Sequence, residues 1–428
     1  MKVTITKEII EAGEYKNNLD ITEVILESAV RVISEEAFYG CTNLTIINFP
    51  EHLEVIGDRA FKGCKTLTIT QKYSTSSYTS NIEYIGNEAF YGVSLQGILT
   101  GGYNLIHIGE GAFKEASNTH GMYFNYLKSI GRYAFYEFNK SLNYLGGDIN
   151  IISSNLIDIQ DYAFYNSKIY LDFSNIGELT IGNYAFAYCD IGTIFRCSNV
   201  VSIGEYAFYK SPDLEYVNLG TKIKELGEYA FSECYKLKKV YIPSSILVLN
   251  VGVFRDSSHW QGDYDGETPT FIFGTHVEPP VLEWASLPYQ TYDKCIIIIP
   301  SEIKSECLSK WDELWYELYG CSVLDDYNIY SLEECELFRF NIGDKTFLAE
   351  NNMTWGDWIL SEYCNYRIQG NTPIVYEGSR EFGLFEITEY SNIRYPSKDS
   401  VILVRDYKNN NTPVRSTDII SPNLIYFI

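Results

Sequence analysis

The chain is poor in positive charge, in histidine and in long hydrophobic runs. It has 33 Lys and Arg against 56 Asp and Glu, a formal net charge of -23, which disfavours nucleic acid and favours a cationic or neutral partner. No apolar stretch approaches the roughly 18 residues of a membrane helix, so we expect no membrane insertion. The N-terminal residues lack the apolar core of a secretory signal, so we expect no such signal.

Residue patterns that carry chemistry are missing as well. The five histidines show no His-x-x-x-His or HExxH spacing and stand at His52, His107, His120, His259 and His276. Residues 263–267 hold alternating acids and a Gly but lack the third acid and the distal Glu of a calcium loop, so we interpret them as a solvated turn. Without a phosphate loop, a nucleophile elbow or a zinc-like Cys spacing, the sequence predicts no enzyme, no metal site and no cofactor.

What the chain does have is a repeated phenylalanine. In most copies an Ile or Leu is followed by Gly, an acid or Asn, a variable residue and Ala-Phe, and the copies lie 22, 23 or 29 residues apart. Such a period is the signature of a solenoid, in which each unit buries its apolar face against its neighbours. We expect the ten repeat phenylalanines to be structural core residues: Phe38, Phe61, Phe90, Phe113, Phe135, Phe164, Phe186, Phe208, Phe231 and Phe254.

Positions counted from the Phe have their own residue preferences. The position four before it is Gly in seven copies, which indicates either a positive φ or a close backbone approach. The position three before it is Asp, Glu or Asn in eight copies, which predicts a cap for a short helical turn carrying Ala-Phe. Four cysteines stand three residues after the Phe, which is typical of small buried fillers: Cys41, Cys64, Cys189 and Cys234. Cys41 and Cys64 lie in adjacent units, which leaves one disulfide open.

A strand follows the Phe in the better-formed units. Its alternation places Ile47, Val217 and Val240 in the interior and the residues between them on the opposite face of a parallel sheet. Aromatic rings together with Asp and Asn on that face can stack on sugar rings and bond their hydroxyl groups. The candidate ligand-binding residues of this face are Tyr170, Asp172, Phe195, Tyr216, Asn218, Lys239 and Tyr241.

The repeat resembles a known family. Leu-x-x-Ile-x-x-Pro followed by Ile-Gly-Asp-x-Ala-Phe-x-Gly-Cys is similar to the BspA-type leucine-rich repeat, and the resemblance covers residues 20–255. It implies a β-rich, right-handed repeat solenoid with a parallel sheet on its concave face. Such repeats occur in bacterial surface adhesins and in proteins of gut microbes and their phages, where they bind host proteins, cells or glycans. The resemblance implies no catalytic residue.

Two features of the repeat leave a structural and a functional interpretation open. Two units have 29 residues, with extra polar segments at 71–81 and 142–155 that are either tolerated loop growth or partner-contact loops. The position two before the Phe is Tyr in five consecutive units, either as a stacked ladder or as a sticky stripe for a partner. These residues are Tyr133, Tyr162, Tyr184, Tyr206 and Tyr229.

The pattern divides the chain into four regions. Residues 1–20 form an N-terminal edge or cap, and residues 21–255 hold the ten repeats. Residues 256–324 lose the period, and a buried strand with a following helix predicts a terminal cap whose apolar face holds Ile303, Cys307, Trp311, Leu314 and Leu318. Residues 325–428 predict a small β-rich domain, with a hairpin over 338–347 and a short helix at 354–359.

Together these observations predict a non-enzymatic recognition and assembly protein. We expect the solenoid to bind a protein or glycan on a host surface, and the C-terminal domain to contact other virion or surface proteins. A phage virion component, attached to the tail or the head, fits the expected lack of a secretory signal. The alternative is a bacterial adhesin of the BspA type, located at the cell surface or outside the cell.

Overall fold

The structure is a computed structural model. It describes residues 1–70, 81–97, 99–100, 104–118, 120–124, 126–140, 149–151, 153, 155–171, 178–192, 194–196, 199–220, 222–257, 269–273, 276–288, 295–319 and 321–331. Between residues 337 and 427 it describes eight strands by their backbone.

Short strands alternate with turns along the first 299 residues. They are β1 (Lys2–Ile5), β2 (Ile9–Ile10), β3 (Glu23–Leu26), β4 (Val32–Ile33), β5 (Ile46–Asn48), β6 (Val55–Ile56), β7 (Thr66–Thr70), β8 (Tyr84–Ile85), β9 (Ser94–Gln96), β10 (Leu99–Thr100), β11 (His107–Ile108), β12 (Ser117–Asn118), β13 (Met122–Phe124) and β14 (Ser129–Ile130). They continue with β15 (Ile149–Ile151), β16 (Asp158–Ile159), β17 (Ile169–Leu171), β18 (Leu179–Ile181), β19 (Ile194–Arg196), β20 (Val200–Ile203), β21 (Tyr216–Asn218), β22 (Glu225–Leu226), β23 (Lys239–Ile242), β24 (Val248–Leu249), β25 (Thr270–Phe273), β26 (Val281–Leu282) and β27 (Cys295–Ile299). A 3-10 turn (Ser301–Ile303), α1 (Lys304–Tyr319), α2 (Val323–Asp326) and β28 (Tyr327–Ser331) follow.

The strands pair in parallel to form two series of sheets. The front sheet has three segments, with the strand orders β1-β3-β5-β7-β9-β12, β10-β13-β15-β17 and β19-β21-β23-β25-β27-β28. The side sheet has the order β2-β4-β6-β8-β11-β14-β16-β18-β20-β22, followed by the pair β24-β26. Most strands pair with the equivalent strand one unit along, so the protein is a β-rich repeat solenoid, as the sequence predicts.

The ten repeat phenylalanines form one buried column. Every ring is fully buried, and neighbouring rings stack with centroids 4.9–5.5 Å apart. Tyr15 extends the column at the N-terminal end, with its ring 5.3 Å from Phe38. The predicted repeat register is therefore confirmed, and the stack begins one unit before the first Phe.

The Ala-Phe segment is a turn in which right-handed and left-handed backbone conformations alternate. The sequence predicted a short helix there. The residues two before and two after the Phe have positive φ, as at Tyr162 (57°) and Asn166 (53°). The N–H of Tyr162 donates to the Asn183 carbonyl at 2.9 Å, and that of Phe164 to the Ala185 carbonyl at 2.8 Å, one unit further on. A helix would keep these bonds within the segment, but the left-handed residues turn the donors toward the neighbouring unit.

The same bonds recur from residues 13–17 to residues 284–286, and we call this series the turn ladder. Each turn donates to the turn that follows it in the chain and accepts from the one before it. The prediction of a cap within each turn is wrong for the same reason. The side chain of Asp58 accepts instead from the N–H of Asn87 at 2.8 Å, and that of Asn183 from the N–H of Glu205 at 2.8 Å, so these side chains link neighbouring units.

The repeated Gly is required by close approach between units. None of the seven has a positive φ. A Cβ added at Gly204 would lie 2.7 Å from the Asn183 nitrogen, and one added at Gly57 would lie 2.6 Å from the Glu35 nitrogen. These distances are too short for any side chain, so of the two interpretations of the repeated Gly, close approach is correct.

The repeat cysteines are buried thiols, and three of them donate to a carbonyl one unit back. Cys64 Sγ lies 3.4 Å from the Phe38 carbonyl oxygen, and Cys234 Sγ lies 3.2 Å from that of Phe208. Ser257, at the same position of a later unit, donates to Phe231 O at 2.5 Å. The position three residues after the Phe therefore favours a side chain that is small enough to be buried and that can also donate a hydrogen bond. Cys41 and Cys64 are free thiols, so the disulfide left open by the sequence does not form here.

Helix α1 follows the repeats and buries one face. The buried face differs from the predicted one at its last turn, where Trp315 is buried and Leu318 is exposed. Leu314 is partly buried against the core. The fully buried members of the face are Ile303, Cys307, Trp311 and Trp315.

Polar contacts fix α1 to the last repeat units. The Trp311 indole N–H donates to the Pro280 carbonyl at 2.9 Å. The Tyr319 hydroxyl accepts from the N–H of Ala285, in the last turn of the ladder, also at 2.9 Å. Strand β28 then pairs with β27, so the front sheet continues to Ser331.

Antiparallel strands make up the described part of residues 337–427. A three-stranded sheet has the order β29-β30-β36, and a five-stranded sheet has the order β31 to β35. The predicted hairpin is confirmed, with Ile342 opposite Lys345. The bounds are β29 (Leu337–Ile342), β30 (Lys345–Glu350), β31 (Asn365–Gln369), β32 (Thr372–Tyr376), β33 (Phe385–Ile387), β34 (Leu403–Asp406), β35 (Thr412–Arg415) and β36 (Tyr426–Phe427). The predicted short helix at 354–359, the acidic turn at 263–267 and most of the two extra segments lie outside the described residues.

Candidate functional site

Four of the candidate ligand-binding residues are neighbours on two adjacent strands. In the register of β21 with β23, Tyr216 lies beside Lys239 and Asn218 beside Tyr241. The residues between them in each strand, Val217 and Val240, are buried in the core, so the four residues share the opposite face of the front sheet. We call that face the outer face.

Phe195 belongs to the core and not to this group, which corrects the sequence prediction. It pairs with Val217, is fully buried, and its ring lies 4.6 Å from that of Phe208. The alternation was assigned one residue out of register in β19, and such a slip moves every side chain to the other face. The 22-residue spacing of Phe186 and Phe208 could have prevented the error, because it places Ile194 opposite Tyr216.

Tyr241 lies on the outer face but is only 3% exposed. The residues next to it in the same row, Ile272 and Ile298, are also buried, although they do not belong to the core cluster. Tyr241 is therefore withdrawn from the surface that a partner can contact. The accessible part of the predicted group consists of Tyr216, Asn218 and Lys239, all partly exposed.

The structure does not bring the whole predicted group together. Tyr170 lies in β17, at the end of the middle segment of the front sheet, whereas Tyr216 lies in the third segment. Between the two segments the described pairing is a single bridge from Lys168 to Asp190. Asp172 lies outside the described residues.

Charged residues surround Tyr216. Lys238 Nζ lies 2.9 Å from a carboxylate oxygen of Glu215 and 6.0 Å from the centre of the Tyr216 ring. Partly exposed ion pairs of this kind contribute about 0–1 kcal/mol to stability. A short segment of the outer face thus offers an aromatic ring, both signs of charge and, in Asn218, an amide.

Two exposed tyrosines of the front sheet do not belong to the group predicted from the sequence. Tyr123 in β13 is exposed between the buried residues Met122 and Phe124, and Tyr330 in β28 follows the buried Ile329. The alternation around Tyr123 is visible in the sequence, but it falls in a unit without the Leu-x-x-Ile-x-x-Pro signal. The outer face is therefore richer in tyrosine than the predicted group indicates.

The second tyrosine set is a stacked ladder. Rings at the position two before the Phe lie 4.8–5.1 Å apart from Tyr133 through Tyr229, with angles of 5–23° between their planes. Burial raises the pKa of Tyr184, a ring in the middle of the column. Because neighbouring rings occupy each other's faces, the column presents ring edges and hydroxyl groups, which favours the structural interpretation.

Before the tyrosine column, lysine and tyrosine alternate at the position after the Phe. Lys16 lies over the ring of Tyr39 at 5.0 Å, and Lys62 over that of Tyr91 at 4.6 Å. Lys114 lies 5.0–5.9 Å from the centres of three tyrosine rings. Cation–π contacts at partly exposed sites contribute about 0.5–1 kcal/mol each, so this series is an internal support of the turns.

In the described part of the chain, no group of three or more His, Cys, Asp or Glu is placed to hold a metal ion. His107 Nδ1 lies 2.6 Å from the Ser129 hydroxyl, and His276 Nε2 lies 3.0 Å from the Ile246 carbonyl, which gives both histidines structural hydrogen bonds. Burial lowers the pKa of both. Among the described helices, none is long and apolar enough to cross a membrane.

The fold and the outer face define the class of protein: a repeat solenoid with an extended surface. The family model described as the BspA type leucine-rich repeat region matches six copies, over residues 8–79, 70–170 and 179–261. These matches cover more than half of the chain, so the protein belongs to the BspA-type leucine-rich repeat family. Proteins with such repeats bind other proteins or surfaces and are generally not enzymes.

Solved structures similar to this chain come from several bacteria. A leucine-rich repeat protein from Bacteroides ovatus is 18% identical, with a TM-score of 0.40, over 77% of this chain and 92% of that one. The pneumococcal vaccine antigen PcpA is 16% identical, with a TM-score of 0.36, over 68% and 76%. A leucine-rich cell surface protein from Faecalibacterium prausnitzii is 17% identical, with a TM-score of 0.29, over 61% and 88%. No curated protein matches the chain.

Proposed function

We propose that the protein is a non-enzymatic recognition protein that binds a protein or glycan of a host surface through the outer face around Tyr216. The observation that carries the proposal is the row formed by Tyr216 and Lys239, with Asn218 beside it, on the face of the front sheet that the core leaves available. The repeat residues themselves are buried, so recognition falls to the residues that vary between units.

The composition of this surface suits binding. Tyrosine offers a rigid ring and a hydroxyl at a low cost in conformational entropy, and amide and charged groups fix the orientation of a ligand. A net charge of -23 favours a partner that is neutral or cationic. The ion pair of Lys238 with Glu215 holds both signs of charge beside the ring.

The test is binding of the full chain to glycan arrays and to host cells, before and after the double substitution Tyr216→Ser and Lys239→Ser. Both side chains are partly exposed, so we expect the variant to remain folded and to lose at least about tenfold in affinity, or 1.4 kcal/mol. The matched control is Tyr126→Ser, which removes an exposed tyrosine that lies outside the strands. Equal binding by the double variant and the wild type rejects the outer face as the site.

Location is proposed from the family. BspA-type repeat proteins are typically found at the cell surface or outside the cell, and we propose the same for this chain. Antibody labelling of intact producing cells should detect it there. Recovery of the chain in purified phage particles, with no labelling of cells, would favour the virion component instead.

A further inference from the structure

A second row of tyrosines lies beside the stacked ladder on the turns. Tyr136 and Tyr165, each directly after a repeat Phe, stack on each other with centroids 4.9 Å apart. Rings of the two rows also touch within a unit, since Tyr165 lies 5.8 Å from Tyr162 and Tyr209 lies 5.5 Å from Tyr206. The two rows therefore form one network of contacting rings. We call it the tyrosine network: Tyr133, Tyr136, Tyr162, Tyr165, Tyr184, Tyr188, Tyr206, Tyr209 and Tyr229.

One unit departs from the row that follows the Phe. Its residue after Phe186 is the fully buried Ala187, and the next residue, Tyr188, takes a positive φ of 58°. The Tyr188 ring fills the resulting gap, with its centroid 5.4 Å from that of Tyr165 and 5.4 Å from that of Tyr209. It is the most exposed ring of the tyrosine network, at 40%. Tyr188 is therefore the member that a reagent in solution reaches most easily.

The chemistry of these rings is that of phenols, which readily lose a hydrogen atom to a one-electron oxidant. The radical that remains passes to rings in contact with it, and two such radicals join through the ring carbons next to their oxygens, which gives a dityrosine cross-link. The thiols of these units, Cys189 and Cys234, are fully buried, and burial raises the pKa of both. Buried thiols of this kind react slowly, so oxidation near Tyr188 falls on the phenols.

Geometry distinguishes the two neighbours of Tyr188. The Tyr209 hydroxyl donates to one carboxylate oxygen of Glu233 at 2.6 Å, and Lys210 Nζ lies 3.2 Å from the other. These contacts hold the Tyr209 ring, whose plane lies at 86° to that of Tyr188. The Tyr165 hydroxyl has no hydrogen bond within the described part of the chain, and its ring plane lies at 60° to that of Tyr188. A bond between two ring edges requires the rings to turn toward each other, which Tyr165 does at a lower cost than Tyr209.

We propose that Tyr188 is an oxidative modification site, at which a one-electron oxidant of the peroxyl-radical class joins Tyr165 and Tyr188 in a dityrosine cross-link. Each of two peroxyl radicals takes the hydrogen atom of one phenol hydroxyl and leaves as a hydroperoxide. The two phenoxyl radicals form a carbon–carbon bond, and the two ring hydrogens at that bond move to the oxygens, which restores both hydroxyl groups. The cross-link joins the units of Phe164 and Phe186 and restricts the unfolded chain, as a disulfide does. The site lies on the turns and is independent of the outer face.

The test exposes the full chain, at low concentration, to peroxyl radicals from a water-soluble azo initiator. Dityrosine fluorescence measures the yield, and mass spectrometry after trypsin digestion locates the bond, because cleavage after Lys168 separates Tyr165 from Tyr188. We expect one dominant cross-link, within a single chain and between the peptides 141–168 and 169–196. Tyr188→Phe keeps the ring and removes the hydroxyl, so it should lose most of the yield.

Two control variants separate geometry from exposure. Tyr184→Phe removes a hydroxyl of the same unit from a ring that is stacked on both faces, and Tyr330→Phe removes a tyrosine that is also 40% exposed but lies in β28, outside the tyrosine network. Both should keep the bond between Tyr165 and Tyr188. The proposal is overturned if no dityrosine forms, if Tyr188→Phe keeps the wild-type yield, or if the bond forms mainly between chains. It is also overturned if protein unfolded in urea gives the same dominant cross-link, because the folded geometry then plays no part.

Discussion

Replacing one repeat phenylalanine tests the stacked column most directly. Phe164 is fully buried, and its ring stacks on Phe135 at 5.2 Å and on Phe186 at 5.3 Å. Removing a buried Phe ring costs about 3–5 kcal/mol through lost transfer energy and the cavity left behind. The turn ladder fixes the spacing of the units, so the cavity cannot close by bringing Phe135 and Phe186 together. We therefore expect Phe164→Ala to cost about 4–5 kcal/mol, at the upper end of that range.

The measurement is urea unfolding followed by circular dichroism, combined with hydrogen exchange of the native protein. Exchange is needed because long repeat arrays can lose two-state behaviour, and the damage should be largest in the units on either side of Phe164. Phe164→Leu, which fills most of the cavity, should cost clearly less. A loss below about 1 kcal/mol for Phe164→Ala would show that the column does not stabilise the solenoid as its burial implies.

Three other substitutions test separate elements of the repeat. Gly204→Ala should destabilise by more than the usual surface substitution, because its Cβ would lie 2.7 Å from the Asn183 nitrogen, and thermal unfolding should show a lower Tm. Cys234→Ser should be tolerated while Cys234→Ala should cost about 0.5–1.5 kcal/mol in urea unfolding, since only the alanine removes the side-chain hydrogen bond to the Phe208 carbonyl, which then keeps the N–H of Ser211 as its donor; equal stabilities would contradict this role. His276 is buried and its pKa is lowered from 6.5, so its contribution to stability is present above about pH 6.5 and lost as the pH falls below it. Wild type should therefore lose more stability than His276→Gln between pH 7.5 and 5.5, and parallel losses would count against the prediction.

The buried part of the repeat was predictable because sequence period and burial coincide. A Phe that recurs at a fixed interval with Ala before it has one physical explanation, a column packed unit on unit, and the structure confirms it for all ten copies. For the repeated Gly, the sequence left two physical reasons open, a positive φ or a close approach between backbones. The distances around Gly57 and Gly204 decide it, and they depend on a neighbouring unit that no single copy of the sequence shows.

The turns and the candidate site were harder to predict. Tyr, Glu and Lys rarely adopt a positive φ, so their identities do not indicate the left-handed positions two before and two after the Phe. The signal lies in other copies, where Gly40, Gly63 and Gly92 stand two after the Phe and Gly111 and Gly252 two before it. The error at Phe195 arose because alternation alone does not say which residue begins a three-residue strand. Tyr241 shows that the correct face does not guarantee exposure, since it lies on the predicted face and is still buried. A face can be inferred from alternation, but its accessibility depends on what lies over it.

The one-directional turn ladder gives the solenoid an electric polarity. In an ordinary sheet the peptide dipoles largely cancel, whereas here those of the turns point the same way unit after unit and add, as they do in a helix. The carbonyl end lies at the first turn, where Lys7 and Lys16 stand, and the N–H end lies at the last turn, beside Glu283. The two ends of the rod therefore differ in potential.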